Sequence, residues 1–240
     1  RELVEKTDAQ LLWLTGEESH SGSHSPYYGV WSFSGGGSLM GKGVHPLTAM
    51  LYLKKVEGRA RTGAPIRPAS VTARTHAFTR MPGYRDAGFL RTNYKDTEDF
   101  GFAHVVFGDG TVADVHASEL LLGGVRNWLE VRANNHRSIV NINPNNAFQT
   151  YNPQGDQFKD IYVVEKIGTK EGWAPTSPDE DWFTGYQHEM QAFYEGFVNG
   201  TPHESDSQLA ADTISTVYAA YLSAARDGAE VEIPLVEAAP

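Results

Sequence analysis

Phe102-Ala103-His104-Val105-Val106-Phe107-Gly108-Asp109-Gly110-Thr111-Val112-Ala113-Asp114-Val115-His116-Ala117 decides the fold class. Two runs of strand-forming residues, 102–107 and 111–117, flank Gly108-Asp109-Gly110, whose Asp-Gly pair marks a tight hairpin. Just upstream, residues 69–80 set Val71, Ala73, Thr75 and Ala77 against Thr72, Arg74, His76 and Phe78, the period of two of a strand. Residues 128–133, 138–142, 147–151 and 161–167 read as further short strands. Strands that follow one another without helices between them pair antiparallel, because a parallel pair needs a crossover of a dozen or more residues.

Around this block the pattern is helical. Pro46 suits a first helical turn, Leu47, Met50, Leu51 and Leu53 give an apolar stripe, and Lys54-Lys55 complements the negative end of the helix dipole. Residues 58–68 then read as a loop. Near the C-terminus Thr184 with Gln187 forms a capping box, and Phe183, Tyr186, Met190, Phe193 and Phe197 form a core stripe that stops at Gly200. Ser205 with Gln208 starts a second helix, with Ala210, Ile214, Val217, Tyr221 and Ala224 as its buried side and Gly228 as its stop. Residues 231–234 suit a final strand. At the other end, a strand at 10–14 precedes a Ser- and Gly-rich stretch, 17–43, long for a loop in a compact domain. Its rings, Tyr27, Tyr28, Trp31 and Phe33, argue against disorder. The order is α+β: an open, mainly antiparallel sheet with helices on one face, and no internal repeat.

The 240 residues include no cysteine and carry a formal charge of 20 − 30 = −10. Zero Cys excludes a disulfide framework, thiolate metal sites and a cysteine nucleophile. The acidic balance argues against nucleic acid, which needs clustered Lys and Arg, and no run reaches the roughly 18 apolar residues of a membrane span. The expected compartment is the cytoplasm. Because the chain opens at Arg1 with neither Met nor a signal segment, it reads as a piece of a longer protein.

Gly36 to Lys42 fits G-x-x-x-x-G-K, but Gly43 stands where a P-loop needs Ser or Thr, and no strand precedes it. The dinucleotide fingerprint G-x-G-x-x-G is absent, so the chain alone is not expected to bind NAD in the usual way. His20 and His24 lie four apart behind Glu17 and Glu18, a spacing that suits a metal only on a helix, and the intervening Gly, Ser and Pro disfavour one; no metal is expected, and the pair reads as lining a cleft. His45, at the junction of loop and helix, either caps the helix or presents a near-neutral imidazole to substrate. His76, His104 and His116 read as sheet-face residues, and Asp109, Asp114 and Glu119 as solvated.

Gly35-Gly36-Gly37-Ser38-Leu39-Met40-Gly41-Lys42-Gly43-Val44-His45-Pro46-Leu47-Thr48 resembles the G-G-G-x-L-x-D-x-G-x-H-x-x-D signature in the second domain of Gfo/Idh/MocA oxidoreductases. Glu98-Asp99 before a strand, Phe107-Gly108-Asp109-Gly110-Thr111, the helix at 185–200 with its n-G-x-P ending, Tyr218-Ala219-Ala220-Tyr221 and Val231-Glu232-Ile233-Pro234 extend the resemblance over essentially the whole chain. It implies that residues 1–240 are one C-terminal substrate-binding and oligomerisation domain (of the dihydrodipicolinate-reductase-like type). The NAD- or NADP-binding Rossmann domain and the family's E-K-P lysine would lie upstream. The implied ligand is a sugar or cyclitol, and the implied assembly a homo-oligomer through the outer sheet face. His45 falls on the family's acid–base His, but Gly41 and Thr48 replace both Asp positions, and glycine cannot pair an imidazole. His20, His24, Tyr27, Trp31 and Lys42 would line the sugar site. Two other readings stand beside this oxidoreductase: a lyase, isomerase or pseudoenzyme on the same scaffold, and a non-catalytic carbohydrate-binding or interaction module.

Overall fold

The computed structural model describes residues 1–143, 148–163, 165–176 and 180–237. In chain order the elements are α1 (Glu2–Thr7), β1 (Leu11–Ser19), α2 (Trp31–Ser34), α3 (Val44–Thr62), β2 (Pro68–His76), β3 (Phe100–Phe107), β4 (Val112–Ser118), β5 (Arg126–Ala133), β6 (Arg137–Asn143), β7 (Gln149–Asn152), β8 (Gly172–Pro175), α4 (Glu180–Thr184), α5 (Tyr186–Asn199), α6 (Ser207–Ala225) and β9 (Val231–Glu232). Seven strands form one open sheet in the order β6-β5-β1-β4-β3-β2-β9, and β7 and β8 pair separately. The Gly108-Asp109-Gly110 turn joins β3 to β4 antiparallel, as its sequence requires. Every named pair is antiparallel except β1 with β4. Between those two strands the chain passes through α3, β2 and β3, a connection long enough for a parallel return.

Alternation divides the sheet into two faces. Leu14, Val71, Ala73, Val105, Ala113, Val115, Leu129 and Val131 are buried on the inner face, where α3 and α6 cover them with Leu47, Met50, Leu209 and Val217. Burying each Leu or Val side chain is worth about 1.5–3 kcal/mol. The outer face is polar and aromatic: Asp114 accepts from Trp13 Nε1 at 2.6 Å and faces His104 Nδ1 at 2.7 Å. His116 packs on Phe102, so the strand histidines are sheet-face residues. Gly16 lets α3 sit directly on β1, since a Cβ there would meet Met50 Cε at 2.7 Å and Pro46 Cβ at 2.9 Å. That contact sets the first turn of α3 above the end of β1.

Several expectations are corrected. β1 runs to Ser19, so Glu17 and Glu18 lie on a strand. α3 continues to Thr62, which puts Lys54 and Lys55 mid-helix rather than at its end. Lys54 is wholly buried, with Nζ 2.5 Å from Glu57 Oε2 and 3.0 Å from Asp109 Oδ2; the turn aspartate is therefore an ion-pair partner rather than a solvated group. Residues 161–163 and 165–167 form no strand, and Val164 and Ala147 lie outside the described residues. Thr184 does not cap a continuous helix, because Gly185, at φ +89°, separates α4 from α5. The α5 stripe is not core: Phe183, Tyr186, Met190 and Phe193 are exposed, and Phe197 is 89% exposed. Asp206 rather than Ser205 caps α6, accepting from Leu209 N at 2.9 Å. On α6 Ile214 faces outward, while Thr213 and Thr216 are buried because each hydroxyl bonds the carbonyl four residues back. No described helix is long and apolar enough to cross a membrane.

Candidate active site

A cleft of about 990 Å³ opens where the ends of β1 and β4 meet the first turn of α3. Its polar wall holds Glu18, His20, Lys42, His45 and Lys166. The parallel pairing of β1 with β4 aligns their C-terminal ends, so Glu18 and His20 come to one place with Glu119, which follows β4. Lys42 and His45 come from the glycine-rich approach to α3. There Glu98 acts as the buried anchor: its carboxylate accepts from Gly37 N at 3.0 Å and Leu39 N at 2.9 Å, and Tyr221 Oη donates to it at 2.7 Å. A Cβ on Gly37 would lie 2.1 Å from Glu98 O, so the third glycine is required for this close approach. A wide π-type turn, Leu39–Gly43, then feeds α3. The glycine cluster holds its own helix entry against a carboxylate.

At the floor of the cleft Glu119 is wholly buried, which corrects the expectation that it is solvated. Its Oε2 lies 3.1 Å from His20 Nδ1 and its Oε1 3.5 Å from Lys42 Nζ. Lys166, in the left-handed region at φ +59°, donates from Nζ to Gly22 O at 3.1 Å and stands 3.5 Å from His20 Nε2. Such a backbone costs a β-carbon residue about 1–2 kcal/mol; here it aims an ammonium at the histidine. At the front, His45 Nε2 is 3.9 Å from Glu18 Oε1, and Glu18 Oε2 accepts from Asn127 Nδ2 at 3.0 Å.

Burial and mixed charge set the protonation states. Burial pushes Glu18 up to about 7, against the pull of Lys42. Glu119 rises to about 6 for the same reason, with Lys42 and Lys166 opposing. Burial, then Lys42 and Lys166, drive His20 down to about 2, so it stays neutral. His45 keeps 60% of its side chain exposed. Partial desolvation by the walls, then the charge of Lys42, still lowers its pKa, leaving a neutral imidazole at physiological pH. A neutral imidazole thus stands beside a carboxyl that titrates near neutrality, and groups of this kind can take up and return a proton.

Of the residues expected from sequence, His20, Lys42 and His45 share this cleft. His24 and Tyr27 line a separate hollow of about 690 Å³ beside Arg91 and Lys95. Trp31 packs edge-on against Tyr221, ring centroids 4.7 Å apart, and its backbone N–H bonds Asp96. Glu18, Glu119, Lys166 and Tyr28 are not among the site residues that the sequence suggests. Glu18 was readable, for it continues the inward period of Leu14 and Gly16; Lys166 and Glu119 carry no local signal. Among the described residues the seven-strand sheet, with β1 and β4 as its parallel pair, is not the doubly wound nucleotide fold.

Compared by sequence, the chain matches no family model and no curated protein. Compared by structure, it is similar to GenD2 from gentamicin A biosynthesis in complex with NAD, at TM-score 0.68 and 23% identity over 94% of this chain and 56% of that one. Myo-inositol 2-dehydrogenase from Lactobacillus plantarum gives TM-score 0.61 and 20% identity, covering 97% and 60%. Myo-inositol dehydrogenase from Lactobacillus casei, in complex with NAD(H) and myo-inositol, gives 0.57 and 16%, covering 96% and 56%. The chain therefore spans 56% to 60% of the length of these structures. The likeness is one of fold: an open, mainly antiparallel seven-strand sheet covered by helices, as in these structures.

Proposed function

We propose that residues 1–240 form the substrate-binding side of an NAD(P)-dependent oxidoreductase acting on a hydroxyl of a sugar or cyclitol. The observation that carries this reading is the His45–Glu18 pair, 3.9 Å apart on a cleft floored by Lys42 and buried Glu119. His45, neutral at physiological pH, takes the proton of a bound hydroxyl at Nε2. The Glu18 carboxylate stabilises the imidazolium that results, so a carboxylate from β1 does the work that Gly41 cannot. His20, held neutral, offers Nε2 beside Lys166 for a further hydroxyl. NAD or NADP, held by another segment of the parent, would supply the hydride acceptor. In the same proposal, second copies dock through the outer sheet face, where Trp13 and Ile139 are exposed.

The test is a screen of the full-length parent for NAD(P) reduction with cyclitols and pyranoses. Turnover with one of them is expected, and His45→Ala is expected to lower kcat by about 10²-fold or more. Full turnover of His45→Ala overturns the assignment, and reaction of a polyol without NAD(P) reduction would favour a lyase or isomerase.

A further inference from the structure

One glycine, next in sequence to Lys42 of the cleft wall, has its side-chain space already filled. A Cβ on Gly41 would lie 0.8 Å from Tyr28 Oη and 2.0 Å from Tyr28 Cζ. Gly41 sits inside the turn Leu39–Gly43 and is not among the residues of positive φ, so its backbone suits any residue and only space excludes a side chain. The phenol in that space reaches the next residue. Tyr28 Oη is 3.3 Å from Lys42 Nζ, and the ammonium lies 4.5 Å from the ring centroid. On its other side Lys42 meets Glu119 at 3.5 Å.

Tyr28 is itself fixed. Its ring leans on Tyr94, centroids 6.1 Å apart, and the following Gly29 presses on Tyr94, whose Cα would lie 2.7 Å from an added Cβ. Burial raises the phenol pKa, so the hydroxyl stays neutral and accepts from the ammonium without exchanging charge with it.

We infer that Tyr28 is a positioning residue that occupies the side-chain space of Gly41 and holds the Lys42 ammonium between Glu119 and the cleft, where it stabilises negative charge on the substrate oxygen. Gly41 and Tyr28 form a matched pair: a side chain at 41 expels the phenol, and loss of the phenol lets Lys42 leave the cleft wall. Only the identity of what Lys42 acts upon rests on the proposed function. As the hydroxyl proton passes to His45 Nε2, the oxygen keeps the electron pair of the O–H bond, and the fixed ammonium offsets that charge.

Two measurements separate this inference from the reading beneath it. The first needs no substrate: the 240-residue chain is reductively methylated with formaldehyde and borane, and each lysine is followed by peptide mass spectrometry. Lys42 is 7% exposed and Lys54 wholly buried, so Lys54 reports global opening. Tyr28→Ala and Gly41→Ala are each expected to speed Lys42 methylation by about tenfold with Lys54 unchanged, and the double variant to be no faster than either. Unchanged Lys42 reactivity in Gly41→Ala, additive effects, or a parallel rise at Lys54 would overturn the pairing. The second uses the full-length parent: Tyr28→Phe, which keeps the ring, should lower kcat with KM within about twofold, and Tyr28→Ala should lower it further. A change in KM alone overturns the positioning role. A parent inactive on every polyol defeats the proposed function, and the methylation result still decides the Tyr28–Gly41 pair.

Discussion

Replacing Lys54 by Met should destabilise the fold through charge rather than volume. Lys54 is wholly buried on α3, and its Nζ meets Glu57 Oε2 at 2.5 Å, Asp109 Oδ2 at 3.0 Å and Leu11 O at 3.3 Å. It therefore ties the helix that carries His45 to β1 and to the β3–β4 turn at once. Methionine fills nearly the same space but leaves the buried Glu57 carboxylate with only Arg61, at 2.8 Å on its other oxygen. Breaking a buried pair by removing one partner costs about 3–5 kcal/mol. An unfolding entropy of about 2.1 cal/mol/K per residue gives roughly 0.5 kcal/mol/K over the 240-residue chain. The expected fall in Tm by scanning calorimetry is therefore about 6–10 °C. Lys54→Met with Glu57→Leu removes both charges, and most of that loss should return, since Asp109 and Arg61 still reach solvent. A single variant within about 2 °C of the parent chain, or a double variant no better than the single, refutes the reasoning.

Glu18 gives a pH signature. Its carboxyl titrates at about 7 when folded, against 4.5 unperturbed. The folded chain holds a proton that the unfolded chain has released between these values. The cost of burying Glu18 is thus absent below about pH 4 and grows to a plateau near 3 kcal/mol above about pH 7. Glu18→Gln should raise Tm at about pH 8 and leave it nearly unchanged at about pH 4.5; a pH-independent difference counts against the buried titration. In the parent enzyme, Glu18→Gln should slow turnover less than His45→Ala, because it weakens the imidazolium without removing the base, and steady-state kcat values check this order. Ser223 is fully buried, accepting from Ala73 N at 2.9 Å and donating to Ala229 O at 2.7 Å, so Ser223→Ala should cost about 1–3 kcal/mol in urea unfolding.

The β hairpin, the inner-face periodicity of β2 and the helix after Pro46 were legible because each rests on neighbours within a dozen residues. The failures share one cause. Lys54 and Asp109 look like a helix-end cation and a turn acid until the fold brings 54 beside 109, and Glu119 looks solvated until β4 pairs with β1. The α5 stripe has the right spacing for a core, yet spacing reports only that a face is apolar, not that anything covers it. In the cleft, His45 and Lys42 stood out in the glycine motif, and His20 in its own loop. Their partners Glu18 and Tyr28 come from other parts of the chain. Gly41 signalled a missing carboxylate; that its vacancy is filled by a phenol from thirteen positions earlier is a fact of three-dimensional space alone.

The parallel pairing of β1 with β4 has a cost in time. β1 takes both of its neighbours, β4 and β5, from residues 112–133, so on the ribosome it emerges long before either exists. At about 5–20 residues per second, translation of the intervening stretch leaves Leu11, Leu12, Trp13 and Leu14 without strand partners for roughly 5–20 s. A nascent chain stalled anywhere between β1 and β4 would display that bare segment to chaperones and to sister chains.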